Sequence, residues 1–151
     1  MIKIITVGSI KEAYLRDAIE EYLKRLSKYT NIEIIEVKEE SLVEIDKSLR
    51  LEEEKILKQI NDKDYIITLE IEGKELSSME FAEKLDKIQL ETSNITFIIG
   101  GSNGLSNTIK EKSRWHLSFS KMTFPHQLFR VLLLEQIYRA YKINHNESYH
   151  K

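Results

Sequence analysis

Cysteine is absent from this chain, which excludes disulfide scaffolds, thiol catalysis and thiolate metal sites. Proline occurs once, as Pro125, and no linker, internal repeat or low-complexity segment interrupts the sequence. No apolar stretch approaches the ~20 residues needed to cross a bilayer. The longest candidate, around Val131 to Leu134, is broken by Arg130 and Glu135. The N-terminal run Met1 to Gly8 is too short for a signal segment and lacks a small-residue cleavage site. A cytoplasmic protein is expected, and no membrane partner. The four histidines (His116, His126, His145 and His150) form no i, i+4 pair on a helical segment and have no carboxylate cluster beside them, so no metal is expected. A G-x-S-x-G elbow, a Rossmann fingerprint and a P-loop are all missing.

What is present fits one domain over residues 1–151, long enough to bury about 68–70% of its unfolded surface. Hydrophobic residues make up 41% and charged residues 32%, an ordinary balance for a folded domain. The net charge of −2 hides an asymmetry. Residues 1–100 carry 15 basic and 22 acidic side chains, whereas residues 101–151 carry 8 basic and 3 acidic. That pattern suits either a polyanion-binding face or a merely solvated basic helix.

Apolar runs at residues 2–7, 31–37, 65–69, 95–99 and 116–119 predict five strands. Between them, Leu15, Ile19, Tyr22 and Leu26 mark an amphipathic helix over 11–29. A charge-dense helix is expected over 41–60, with Val43, Leu49, Ile56, Leu57 and Ile60 as its apolar side. Glu72-Gly73-Lys74 reads as a turn, Ser77 or Ser78 as the cap of a helix carrying Phe81, Leu85 and Ile88, and 108–113 as a short helix. A last helix starts near Thr123 and Pro125 and runs to about Asn144, leaving a seven-residue tail. Strands alternating with helices define an α/β fold with a mostly parallel sheet flanked by helices. The last helix is apolar on more than one stripe, through Leu128, Phe129, Val131 to Leu134, Ile137, Tyr138, Ala140 and Tyr141. Either it is a central core helix or one face meets a second copy in a homodimer.

Gly100-Gly101-Ser102-Asn103-Gly104 lies between a strand and a helix, where bare backbone N–H groups can meet a ligand, though a tight turn would look the same. Read with Leu117 to Gln127, Arg130 to Tyr141, Tyr149-His150-Lys151 and Thr68 to Lys74, it closely resembles the RlmH family of ribosomal RNA large-subunit methyltransferases, minimal members of the SPOUT, or α/β-knot, superfamily. Ser148 stands where many members have proline, and Lys151 where many have arginine. The resemblance implies a C-terminal trefoil knot, a homodimer, and S-adenosylmethionine-dependent methylation of N3 of a pseudouridine in 23S rRNA on the assembled ribosome. It places cofactor contacts on Leu69, Gly100, Phe119, Ser120, Lys121, Met122, Thr123 and Phe124. It makes Arg139, Tyr149 and His150 the candidate catalytic residues. The rival readings are a SPOUT enzyme methylating a tRNA ribose 2′-hydroxyl and a non-enzymatic ribosome-binding factor.

Overall fold

In the computed structural model, which describes residues 1–151, the chain runs β1 (Ile2–Val7), α1 (Ala13–Leu26), β2 (Ile32–Val37), α2 (Ile45–Leu57), β3 (Tyr65–Glu75), α3 (Ser78–Glu91), β4 (Ile95–Ile99), α4 (Asn107–Lys112), β5 (Trp115–Ser118) and α5 (His126–Asn144). The strands form one parallel sheet in the order β2-β1-β4-β3-β5. Side chains alternate across it, which explains the unbroken apolar runs, since a parallel sheet is covered on both faces. Ile2, Ile4, Ile67, Phe97 and Ile99 join the larger core with α1, α3 and α5. Ile5, Val7, Ile66 and Ile98 point the other way, toward Ile56 of α2 and Ile109 of α4.

Two segments depart from the expected elements. The span 41–44 is a loop, and Val43 is fully exposed. In α2 the buried stripe is Ser48, Glu52 and Ile56, at i, i+4 spacing but mostly polar. Those polar groups are buried because they hold the loop, Glu52 accepting the Glu40 N–H (2.9 Å) and Ser48 Oγ the Leu42 N–H (2.9 Å). The expected turn at 72–74 belongs to β3, which bulges so that both Leu69 and Lys74 face Leu117. A Cβ on Gly73 would stand 2.7 Å from the His116 carbonyl oxygen, so glycine lets the bulge lie against β5. Ser77, not Ser78, caps α3, with Glu80 completing a capping box.

No helix is long and apolar enough to cross a membrane. Seven of the 19 residues of α5 are buried, Arg130, Leu133, Leu134, Ile137, Tyr138, Ala140 and Tyr141 packing inward. Leu128 remains exposed and Phe129, Val131 and Leu132 only half-buried, so one chain does not consume the helix's apolar surface.

Candidate functional site

A cavity of about 310 Å³ opens at the carboxyl ends of β3, β4 and β5. Ligands of open parallel sheets sit at strand carboxyl ends, where successive loops converge. Leu69 comes from β3, Ile99 and Gly100 from the end of β4, and Leu117 and Ser118 from β5. Phe119, Ser120, Met122, Thr123 and Phe124 close it from the loop before α5. His126 and Phe129 of α5's first turn complete that wall, the Phe129 ring 4.8 Å from Phe119 and 6.1 Å from Phe124. The loop is itself ordered by serines, Ser118 Oγ donating to the Ser120 carbonyl (3.1 Å) and Ser120 Oγ accepting the Met122 N–H (3.0 Å). Of the residues expected at the cofactor, Lys121 alone is not on the wall; its side chain is exposed.

The 100–104 turn is narrower than its sequence suggests. A Cβ on Gly100 would lie 2.6 Å from the Gly104 carbonyl carbon and oxygen, so the turn's own closure demands glycine, whatever ligand approaches. Gly104 takes a positive φ of 75° and donates its N–H to the Gly101 carbonyl (3.1 Å). Glu39, from the loop after β2, accepts the Ser102 N–H (2.8 Å) and so ties this turn to the β2 end of the sheet. That hydrogen bond holds the Glu39 carboxyl below the usual carboxylate range against an opposing effect of burial. Sequence reading gave no role to Glu39, nor to Glu70, Lys110 and Leu105 on the cavity wall, although Glu70 and Leu105 lie within the runs that carry the resemblance.

Arg139, Tyr149 and His150 come together, but not at the cavity. The Tyr149 hydroxyl donates to Glu135 Oε2 (2.6 Å), Arg139 Nε donates to Glu135 Oε1 (2.8 Å), and the Arg139 guanidinium reaches His150 Nδ1 (3.1 Å). Burial pushes the Tyr149 phenol well up, and its bond to Glu135 adds to that, so Tyr149 is a donor in this arrangement. None of the three lines the cavity. Arg139 is thirteen residues along α5 from His126, about 20 Å at the helical rise. The tail is pinned, not frayed. Asn146 adopts a positive φ of 56°, Glu147 N–H caps the Lys142 carbonyl (2.9 Å), and the Glu147 side chain takes a hydrogen bond from Tyr29 (2.8 Å) and an ion pair from Lys142 (3.0 Å).

The basic surplus of residues 101–151 is largely spent internally. Lys110 faces Glu70, Arg114 Glu91, Arg130 Glu36, Arg139 Glu135 and Lys142 Glu147, which leaves Lys112, Lys121 and Lys151 without a carboxylate partner. No cluster of three or more histidine or acidic residues is arranged to hold a metal ion.

Sheet, cavity and apolar walls together define an α/β enzyme domain with a small-molecule site at the carboxyl ends of its strands. Comparison with known proteins is specific. The family described as "Predicted SPOUT methyltransferase" matches residues 1–150. The ribosomal RNA large subunit methyltransferase H of Caldicellulosiruptor bescii is 54% identical over 154 residues, covering 100% of both chains. Its counterpart from Bifidobacterium adolescentis is 52% identical over 157 residues and 99% of each chain. Among solved structures, a ribosomal RNA small subunit methyltransferase E from Neisseria gonorrhoeae, bound to S-adenosyl methionine, superposes with a TM-score of 0.51 at 14% identity. That match spans 90% of this chain and 64% of the other, and at such identity it speaks for the fold alone. This chain belongs to the SPOUT methyltransferase family, whose methyl donor is S-adenosylmethionine.

The cavity suits that donor. Its volume is at the lower end of small-molecule sites. Leu69, Phe119 and Phe129 give it apolar walls, and Ser118 and the bare glycine backbone give it polar groups.

Proposed function

We propose that this chain methylates large-subunit ribosomal RNA at N3 of a pseudouridine, on the assembled ribosome, as a homodimer. The chemistry is supported by full-length relatives that share a single name for their activity, at 52–54% identity. The dimer is supported by one observation in this chain, the distance of about 20 Å along α5 between the cavity wall and the Arg139 cluster. Two α5 helices packed antiparallel about a two-fold axis near Leu132 would set residue 139 of each beside residue 126 of the other, because 132 lies about midway between them. Leu128, Val131 and Leu132, incompletely covered here, flank that axis. The cofactor cavity of one subunit and the tail of its partner then form one site. A trefoil threading of the C-terminal segment fits a strand order in which β5 lies outside β3 while the 119–125 loop returns over the cavity.

When bound, S-adenosylmethionine supplies a methyl group already activated on a sulfonium, so the protein has to align the acceptor and remove the N3 proton. His150 is the acceptor we assign, taking the proton on Nδ1 once the RNA draws Arg139 away from it, because the Tyr149 phenol is held as a donor to Glu135. Arg139, between Glu135 and His150, supplies positive charge for the ring oxygens as the proton leaves. The test is mass mapping of 23S rRNA from cells lacking this protein. One pseudouridine should lose a methyl group, the full chain should restore it, and a chain ending at Glu147 should not. Unchanged rRNA in the deletion strain refutes the function, and full restoration by the shortened chain refutes the role of the tail.

A further inference from the structure

At the seam of β3 and β5, beside the cavity, four polar side chains form a connected group that the methyl-transfer reading leaves unused. Thr68 Oγ1 lies 2.6 Å from Glu70 Oε2 and 2.8 Å from Ser113 Oγ. His116 Nδ1 bonds the same Glu70 oxygen and stands 3.3 Å from Thr68 Oγ1. Ser113 is held in turn, donating to the Trp115 carbonyl (2.9 Å) and accepting the Thr68 N–H (3.2 Å). The carboxylate is thus fixed through Oε2 alone. Its other oxygen has no hydrogen bond, and the nearest cation, Lys110 Nζ, stays 4.0 Å away. The Glu70 side chain is only 14% exposed, and the residue lines the cavity.

A carboxylate whose side chain is mostly withdrawn from water needs donors, and a protein that fixes one oxygen while leaving the second open has pre-set it for a ligand. The chemistry of the donor is constrained by Lys110. A cationic amine placed on that oxygen would be close to the lysine ammonium and repelled by it. A neutral hydroxyl meets no such penalty. The exocyclic amine of a purine is also neutral, but the flat ring is better covered by Leu69 and the phenylalanines, whereas Glu70 is joined to half-exposed His116 and faces Lys110.

We propose that Glu70 is a ribose-binding residue of this cavity, its open oxygen accepting hydrogen bonds from the vicinal hydroxyls of the cofactor's ribose, with Thr68 and His116 as positioning residues. The proposal rests on S-adenosylmethionine occupying the cavity. Calorimetric binding of S-adenosylhomocysteine and its 2′,3′-dideoxy analogue tests it without turnover. Glu70→Gln should weaken S-adenosylhomocysteine about 10- to 100-fold, the range for a hydrogen bond to a charged group. The dideoxy analogue should bind wild type and variant alike. His116→Ala should show the same selectivity to a smaller degree, which a merely structural contact would not. An analogue lacking the adenine amine should lose equal affinity in wild type and Glu70→Gln. Equal losses for the parent ligand and the dideoxy analogue, or no loss with Glu70→Gln, overturn the assignment; a loss that disappears only without the amine transfers Glu70 to the purine. If wild type binds no S-adenosylhomocysteine at all, the cofactor reading fails first and this one with it.

Discussion

Replacing the half-exposed member of the Arg130–Glu36 pair should destabilise the protein more than replacing the buried one. Arg130 is 1% exposed, with Nη2 donating to the Gly8 carbonyl (2.9 Å), Nη1 to Glu36, and Nε without any partner. The Glu36 side chain is 44% exposed. Arg130→Met removes two charge-assisted bonds and strands the Gly8 carbonyl, costing about 1–3 kcal/mol for the unpaired acceptor. It also relieves a guanidinium held out of water and its orphaned Nε, while Glu36 returns to solvent, so the net loss should be about 1–2 kcal/mol. Glu36→Ala instead leaves the guanidinium buried with one neutral acceptor. Breaking a buried pair this way costs about 3–5 kcal/mol, trimmed here to roughly 2–4 because water can enter from the Glu36 side. In urea titrations with a slope of about 2 kcal/mol/M, Glu36→Ala should shift the midpoint by about 1–2 M and Arg130→Met by less than ~1 M. The double variant should be close to Arg130→Met alone. If Arg130→Met proves the more damaging, desolvation of the guanidinium has been overestimated and the reasoning fails.

Gly100→Ala should cost about 1–3 kcal/mol, because its methyl meets Gly104 backbone at 2.6 Å and the turn must open. It should also weaken S-adenosylhomocysteine at least about tenfold in calorimetry, and wild-type affinity would show the cavity does not depend on this turn. The tail should be acid-labile. Hydrogen bonds from Tyr29 and Lys142 hold the Glu147 carboxyl at about 2, below the ~4.3 of a free glutamate, so its contribution is complete above pH ~5 and is lost as pH falls through ~4 toward 2. NMR of the Tyr29 and Tyr149 rings should show release in that window, with Glu147→Gln already loose at pH 7; a docked glutamine variant would mean that other contacts hold the tail.

How much was readable from the sequence depended on whether a residue's job was local. Strands β1, β3 and β4 are apolar runs because both sheet faces are covered, and that pattern needs no partner to be seen. In α2 the apolar residues misled, since Val43 is in solvent while Ser48 and Glu52 go inside to hold a loop some ten residues back. Charge misled in the same way. Each cation counted toward a basic C-terminal third was assessed without its carboxylate, and Arg130 finds Glu36 from 94 residues away. At the cavity, Leu69, Gly100 and the 119–124 loop were legible through the family's motif, not from their chemistry. Glu39 carries no motif, and Glu70, although it lies in the matching run Thr68 to Lys74, was given no role there; both are defined by the atoms they reach.

The same dependence on distant partners makes α5 the element through which cavity and tail are connected. Its first turn supplies His126 and Phe129 to the cavity, and Arg130, one residue further, fastens it to β1 and β2. Its middle is locked against α1 and α3 by Leu133, Leu134, Ile137 and Tyr138. Its last turns carry Arg139 and hold the tail through Lys142 and Glu147. A helix anchored this way at start, middle and end resists bending between those points, because its buried side chains sit in a close-packed core. Phe129 and Arg139 lie about 15 Å apart along that axis. In the antiparallel dimer proposed above, each α5 would therefore join its own cavity to its own tail and lie beside its partner's.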